Sequence, residues 1–237
     1  MEDDTLTVAA RFCGPAGAAN GGYLAGLLAI RLGGEAEVTL RQAVPLERPV
    51  VVEARGADGL VVKAGGDVLV EAVRAPLDLT PPIPVSLAEA EAGARRFPRF
   101  VGHPIPRCFV CGPERAAGDG LRIFPGRVDG RDVVAAPWTP DASLAGPDGA
   151  TRPEILWAAL DCTGAFAVNE PPRGLALLGR LAARVVRRVP IGEACVVMGW
   201  SLGAEGRKLH AGTAIYSPRG DLCAAARATW ILVAPRS

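Results

Sequence analysis

One acid, Asp161, lies inside an otherwise apolar run that extends from residue 155 to residue 168. A buried carboxylate needs a partner or a function, because removing its charge from water costs several kcal/mol or raises its pKa. In this position it could act as a general base or contact a ligand directly. It could equally be a structural acid that Arg180, Arg184 or Thr163 satisfies. Asp161 is therefore the first candidate for a catalytic residue.

A second candidate group stands nearer the amino end, where Asn20-Gly-Gly-Tyr23 precedes an apolar segment. Asn is a good helix N-cap, and glycines leave backbone N–H groups approachable. Such groups at a helix N-terminus can stabilise negative charge that develops on a carbonyl oxygen. We therefore predict that the Gly22 and Tyr23 amides donate to that oxygen, and that Asn20 and Gly21 contact the substrate. The alternative is an ordinary capped helix start.

Four further residues are candidates for substrate binding. Trp157 precedes Asp161 by four residues, so at helical spacing it could wall a ligand pocket or simply fill the core. Thr163 follows the acid closely enough to assist it. Arg180 and Arg184 would share one face of a strand, where they could bind the phosphates of a nucleotide-bearing ligand. They could instead form a solvated strand surface or pair with Asp161.

Six cysteines occur in the chain, and only Cys108 and Cys111 form a C-x-x-C pair. The scattered positions of the others fit reduced thiols better than a disulfide framework. His103 precedes the pair at a spacing compatible with half of a zinc site, yet the sequence offers no second pair of ligands. A structural glycine turn with buried thiols, a zinc site, and a reactive or disulfide-forming pair all stay open. Our prediction includes neither a metal nor a cofactor.

Charge and hydropathy exclude several classes of function. The 26 Lys and Arg residues nearly balance the 25 Asp and Glu residues, so no global field recruits nucleic acid or an anionic membrane. Apolar residues make up 49% of the 237 positions, which suffices for a substantial core. The acidic start is unlike a secretory signal, and the longest apolar runs are too short to span a bilayer. We therefore predict a cytoplasmic globular protein whose partners are neither nucleic acid nor membrane.

Two parts of the chain show the same order of elements. Each has an apolar helix, a Val-rich strand that ends at a proline, and three more strands joined by turns that contain glycine. The first part has a helix at 21–32 and strands at 37–44, 50–55, 59–64 and 67–74. The second has a helix at 152–168 and strands at 175–189, 194–202, 207–216 and 222–233. We predict repeats at 1–76 and 121–237, with a linker at 77–120 that holds a short helix from Ser86 and the C-x-x-C turn. The patterns Ser86-x-x-Glu89 and Thr151-x-x-Glu154 predict capping boxes at two helix starts.

A helix that is apolar nearly all round must be enclosed, and the strands that follow it are the obvious wrapper. One helix wrapped by an antiparallel sheet, occurring twice in tandem, resembles the double hotdog fold of the α+β class. The segment Ala19-Asn-Gly-Gly-Tyr-Leu-Ala-Gly-Leu-Leu28 resembles the helix opening of hotdog acyl-CoA thioesterases, and Leu160-Asp161 resembles their helix-borne acid. The resemblance covers both repeats.

The resemblance implies hydrolysis of an acyl thioester at a site built between two helices, as between the protomers of hotdog dimers. Distance agrees, because Asp161 lies about 15 Å along its own helix from Thr151, too far to serve that helix's N-terminal donors. The first repeat has Leu28 where the second has the acid, and the second has Arg152-Pro153 where the first has glycines. We therefore predict one site per chain, made from Asn20, Gly21, Gly22 and Asp161.

The chain departs from one branch of the family. Bacterial thioesterases of type II combine the helix Asp with a Ser or Thr on the following strand and a Gln on the last strand. Here no Ser or Thr occurs between Thr163 and Ser201, and the single Gln, Gln42, lies in the first half. Asp161 would then work with backbone donors or with Thr163.

The main hypothesis is an acyl-CoA thioesterase-like hydrolase with an acyl thioester as its partner. The alternatives are a non-catalytic double-hotdog protein that binds an acyl group or acyl thioester, and a structural protein with a filled cavity. Association of double-hotdog units into a homo-oligomer is also open.

Overall fold

The computed structural model describes residues 4–97, 103–169 and 174–233. The helices of these ranges are α1 (Gly21–Arg31), α2 (Leu87–Ala94), α3 (Pro153–Ala159) and α4 (Cys162–Val168). The strands are β1 (Thr5–Leu6), β2 (Ala36–Leu40), β3 (Val50–Ala54), β4 (Gly59–Ala64), β5 (Asp67–Arg74), β6 (Gly126–Arg127), β7 (Val133–Trp138), β8 (Ala176–Val185), β9 (Cys195–Glu205), β10 (Lys208–Tyr216) and β11 (Leu222–Leu232). Short 3₁₀ turns occur at Ala10–Phe12 and Ala142–Leu144.

The described strands form one antiparallel sheet in the order β1-β3-β4-β5-β2-β8-β11-β10-β9-β7-β6. Strands β2 and β8 pair at its centre, with Ala36 opposite Ala183 and Thr39 opposite Arg180. Outward from that junction the order is β2-β5-β4-β3 on one side and β8-β11-β10-β9 on the other. The strands of the two predicted repeats are therefore arranged in the same order about the junction.

The core lies between this sheet and the helices. Leu24 and Leu28 of α1 and Leu156 and Trp157 of α3 are almost completely buried, and they belong to one apolar cluster with residues of both halves of the sheet. The predicted strands at 59–64 and 67–74 coincide with β4 and β5. Strands β6 and β7 were not predicted. Among the described residues, no helix has the length and apolar character needed to cross a membrane.

The prediction of one helix over 152–168 is wrong, because the structure divides it into α3 and α4 at Asp161. The backbone of Asp161, with φ −72° and ψ −85°, leaves the helical conformation. The carbonyl oxygen of Leu160 accepts a hydrogen bond from Thr213 Oγ1 of β10 at 2.8 Å. This bond from the sheet satisfies a carbonyl group that the break removes from the helix.

The two predicted capping boxes have different outcomes. Ser86 caps α2, and its reciprocal hydrogen bonds with Glu89 form the predicted box. The box predicted at Thr151 is wrong, because α3 begins at Pro153 and its N-cap is Arg152, which makes no capping hydrogen bond with its side chain. Thr151 is instead held in an antiparallel bridge with Ala145.

Candidate active site

Helices α1 and α3 approach each other closely because two glycines of α1 face α3. A Cβ atom at Gly22 would lie 2.7 Å from both the Cβ atom of Asp161 and the backbone oxygen of Trp157. A Cβ atom at Gly26 would lie 2.6 Å from the Cα atom of Glu154. These distances are shorter than real Cβ contacts, so both positions require glycine at this helix spacing. The close packing brings Asp161 to the amino end of α1.

The two carboxylate oxygens of Asp161 have different environments. Its Oδ2 atom accepts hydrogen bonds from the Gly22 amide at 2.9 Å and from Asn20 Nδ2 at 2.8 Å. Asn20 is also the N-cap of α1, since its Oδ1 atom accepts from the Tyr23 amide at 2.9 Å. The Oδ1 atom of Asp161 is buried and has no hydrogen-bond partner among the described residues. One oxygen therefore holds the carboxylate in place, and the other is left for a ligand or a water molecule.

Burial has the largest effect on the ionisation of Asp161. The residue is only 2% exposed, and its removal from water raises its pKa to about 7. The hydrogen bonds from Gly22 and Asn20 oppose this rise, and the nearby Cys108 adds to it. A carboxyl group with a pKa near 7 is in the range that suits a general base at neutral pH.

The amides predicted to bind the carbonyl oxygen are not free. The Gly22 amide donates to Asp161, the Tyr23 amide donates to Asn20, and the Tyr23 ring stacks on Phe12 with a centroid distance of 3.9 Å. The Gly21 amide donates to no group in the part of the chain that the structure describes. An N-cap side chain reaches the second or third amide of a helix, so the first is the one left over. Gly21 is therefore the available donor.

A cavity of about 320 Å³ lies beside these groups. Asn20, Gly21 and Asp161 line it, and most of its remaining wall is apolar. The other lining residues are Gly14, Pro15, Ala18, Ala19, Leu40, Arg41, Gln42, Ala43, Ile105, Cys108, Cys162, Ala176, Leu177, Leu178, Gly179, Trp230, Ile231 and Val233. An apolar cavity with a few polar groups at one end is the usual form of a small-molecule site.

Trp157 and Thr163 lie outside the cavity lining. Trp157 is 2% exposed and packs on the α1 glycines, so it fills the core rather than walling the cavity. Thr163 is fully buried against β9, where a Cβ atom at Gly199 would lie 2.8 Å from its backbone oxygen. Trp157 was placed near the acid by helical spacing and Thr163 by its closeness along the chain, and neither lines the cavity.

Arg180 and Arg184 are also outside the cavity lining, and neither pairs with Asp161. Arg180 is exposed and contacts β2, where its Nε atom donates to Thr39 Oγ1 at 3.1 Å. Its Nη1 atom lies 3.3 Å from Glu37 Oε1. In a regular strand, Arg180 and Leu178 would point to the same face of the sheet. The β8–β11 pairing is irregular between these two residues, and Leu178 is the one that lies beside Gly21. Both arginines therefore lie outside the lining of the cavity that contains Asp161, and their contact with the phosphates of a ligand stays a prediction.

Solved structures of other proteins resemble this architecture over nearly the whole chain. A protein of unknown function with a hotdog fold from Alicyclobacillus acidocaldarius has a TM-score of 0.62 at 14% identity, covering 98% of this chain and 93% of its own. This chain has the hotdog fold. The tesB protein of Mycobacterium avium subspecies paratuberculosis has a TM-score of 0.62 at 15% identity, covering 97% of this chain and 92% of its own. No family model and no curated protein sequence matches the chain.

Several residues of this hotdog cavity were not selected from the sequence. The predicted linker contributes Ile105 and Cys108 to the wall, although the sequence analysis connected neither residue with the cavity. Trp230 of β11 also lines the cavity, and its buried indole Nε1 has no partner among the described groups. Nothing in the sequence around Trp230 indicates that it lines a cavity. Gln42, noted only as the single glutamine, lies in the cavity wall.

Proposed function

We propose that this protein hydrolyses acyl thioesters such as acyl-CoA, with Asp161 as the base. The observation that carries the proposal is the unpaired Oδ1 atom of Asp161, a residue that lines the cavity beside the amino end of α1. A carboxylate that lacks a structural partner on one oxygen is costly unless that oxygen has a use. The resemblance to solved structures that are named as thioesterases supports a thioester as substrate.

We further propose a double hotdog, with repeats at 1–76 and 121–237 joined by 77–120. The equal strand order on both sides of the β2–β8 junction supports this division. The close packing of α1 on α3 supports a site between the repeats, because Asn20 and Gly21 then come from one repeat and Asp161 from the other.

In the proposed reaction, the Gly21 amide donates a hydrogen bond to the thioester carbonyl oxygen, at the positive end of the α1 dipole. Asp161 Oδ1 takes a proton from a water molecule as the water oxygen attacks the carbonyl carbon. The tetrahedral intermediate collapses, the carbon–sulfur bond breaks, and Asp161 returns the proton to the leaving sulfur. The products are a carboxylic acid and a free thiol.

The role of the other two amides differs from the one predicted. Gly22 and Asn20 hold Asp161 Oδ2, so they orient the base rather than bind the carbonyl oxygen. The Tyr23 amide keeps Asn20 in position. Asp161 and the Gly21 amide are then the groups that contact the reacting atoms.

The cavity wall favours an acyl group of modest size. Leu40, Leu178 and Ile231 supply apolar surface, and the volume of about 320 Å³ is at the lower end for ligand pockets. Arg41 is exposed in the same wall, where it pairs with Glu71. An arginine at this point is a candidate contact for phosphates of the thiol carrier.

The second candidate function is non-catalytic binding of an acyl group or acyl thioester. One observation favours it: both amides of the predicted oxyanion site are used inside the protein. Within the described residues, no Ser, Thr or His lines the cavity to assist Asp161. Such a protein would keep the cavity and release its ligand unchanged.

Thiol release from a panel of short, medium, branched and aryl acyl-CoAs tests the proposal. We expect the wild type to release thiol from at least one member. Asp161→Asn should lower kcat/KM by roughly 10²- to 10⁴-fold, the usual contribution of a general base. Asp129→Asn is the matched control, because Asp129 is exposed and pairs only with Arg96 among described side chains.

Two results would count against hydrolysis. Unchanged thiol release by a folded Asp161→Asn variant would exclude Asp161 as the base. An acyl-CoA that binds tightly to the wild type and is recovered intact after long incubation would favour the binding protein. The cytoplasmic location, the absence of nucleic acid and membrane partners, and homo-oligomer formation remain proposals from the sequence.

A further inference from the structure

Three thiols from separate parts of the chain meet beside the cavity. The Sγ atoms of Cys108, Cys111 and Cys162 all lie within 4.8 Å of one another, and those of Cys108 and Cys162 are 3.5 Å apart. A zinc ion bound tetrahedrally at about 2.3 Å spaces its sulfur ligands about 3.8 Å apart. The cluster therefore has nearly the dimensions of a metal site. Its third member comes from α4, so the sequence alone did not connect it with the C-x-x-C pair.

The turn that carries Cys108 and Cys111 is tightly constructed. The Gly112 amide donates to the Cys108 carbonyl oxygen at 2.9 Å. A Cβ atom at position 112 would lie 2.5 Å from that same oxygen, so the turn requires glycine. Phe109 and Val110, between the two cysteines, are fully buried and anchor the turn in the core. Both thiols are therefore fixed in position by backbone packing.

We propose that Cys108, Cys111 and Cys162 bind one Zn²⁺ ion as thiolates. Three thiols favour a metal over a disulfide, which would join two sulfurs and leave the third unused. Each cysteine is at most 9% exposed, which limits access by oxidants. Soft sulfur ligands select zinc over magnesium or calcium. Binding releases the thiol protons to solvent.

Two of the three proposed zinc ligands border the cavity, which would supply the fourth ligand. Cys108 and Cys162 line the cavity, whereas Cys111 does not. Among the described residues, these three sulfurs are the complete cluster. A water molecule in the cavity then completes the tetrahedron, as in zinc sites that keep one position open. Zinc binding at this cluster does not depend on whether the protein hydrolyses thioesters. It revises the prediction from the sequence, which included no metal.

Metal content is the direct test. Protein purified under reducing conditions with zinc supplied, then dialysed, should hold one zinc ion per chain by mass spectrometry. Cys108→Ser, Cys111→Ser and Cys162→Ser should each retain at least about tenfold less at the same free zinc concentration. Cys223→Ser is the matched control, because Cys223 is equally buried but lies outside the cluster. Circular dichroism checks that each variant is folded.

A second measurement keeps the proposal testable if the serine variants unfold. Co²⁺ added to the reduced, metal-free wild type should give a near-ultraviolet band from thiolate ligands and the strong visible bands of tetrahedral cobalt. Folded, reduced wild type that holds no stoichiometric zinc and gives neither band would overturn the inference. So would a Cys162→Ser variant that binds zinc as tightly as the wild type. Neither readout uses turnover, so failure here leaves the proposed hydrolase untouched.

Discussion

At the scale of single residues, the two oxygens of Asp161 have separate uses. Oδ2 is held by Asn20 and Gly22, and Oδ1 has no partner among the described groups. Asn20 has two tasks, because its amide nitrogen holds the carboxylate and its oxygen caps α1. These tasks can be separated by substitution, since Ser caps helices well but is too short to replace the amide nitrogen.

We predict that Asn20→Ala and Asn20→Ser differ from each other in stability but lose activity to a similar extent. Asn20→Ala should lower the free energy of unfolding by about 1 kcal/mol because it removes the N-cap of α1, and Asn20→Ser should lower it much less. Both should lower kcat/KM about tenfold or more, because Asp161 is no longer oriented. Urea unfolding and thiol release measure the two effects. Wild-type activity in Asn20→Ser would show that the bond to Asp161 is dispensable.

Part of the site could be predicted from residue types alone. An acid in an apolar run and an Asn-Gly-Gly helix start are visible in sequence, and the structure joins Asn20, Gly22 and Asp161 by hydrogen bonds. The sequence could not predict which backbone amide at the start of α1 stays free. That depends on which amides donate to the side chains of Asn20 and Asp161. The position of Arg180 outside the cavity lining could not be predicted either, because strand alternation does not reveal the irregularity in the β8–β11 pairing.

At the scale of elements, the contact between α1 and α3 determines where the carboxylate lies. We predict that Gly26→Ala lowers the free energy of unfolding by about 1 to 3 kcal/mol, because the added methyl group meets the backbone of Glu154. Gly26 is one turn from the cavity-lining end of α1, so the helices must separate to admit the change. Urea unfolding measures the loss.

Ile30→Ala on the same helix is the control, because Ile30 is 46% exposed. Its change in stability should stay within about 0.5 kcal/mol. If Gly26→Ala is as stable as the wild type, the helix spacing described here is wrong.

Helices and strands could be predicted from the sequence where neighbouring residues determine their limits. Alternating strands bounded by glycine turns gave β4 and β5 their limits, and the capping box at Ser86 gave α2 its start. The break between α3 and α4 was not predictable, because the group that satisfies the Leu160 carbonyl is Thr213, which lies far away in sequence. The box at Thr151 failed because a bridge to Ala145 keeps that residue extended.

At the scale of the whole molecule, one sheet continues across the β2–β8 junction and one core cluster draws on both halves. We therefore expect the protein to unfold as a single cooperative unit. All four tryptophans, at 138, 157, 200 and 230, lie in the second half, so fluorescence reports mainly on that half, and Trp157 also reports on its contact with α1. Val62→Ala, a cavity-forming change in the fully buried β4 position, perturbs the first half.

Val62→Ala should lower the free energy of unfolding by roughly 2 to 3 kcal/mol. In urea, its tryptophan fluorescence and far-ultraviolet circular dichroism should shift together by the same amount. A fluorescence transition that stays at the wild-type midpoint while circular dichroism shifts would mean that the halves unfold independently. Ile105 and Cys108 of the predicted linker line the cavity together with residues of both halves, a placement that depends on tertiary contacts and has no local sequence signal.

Single-turnover hydrolysis and ligand affinity, measured side by side on Asp161→Asn, separate the chemistry of the proposed base from binding. Asn matches Asp in shape and can still accept hydrogen bonds from Gly22 and Asn20, so the cavity should be preserved. With the best acyl-CoA of the panel, we predict that single-turnover hydrolysis falls by at least about 100-fold while the Kd for that acyl-CoA changes less than about threefold. Hydrolysis at the wild-type rate would contradict the assignment of Asp161 as the base, and so would a loss explained entirely by weaker binding.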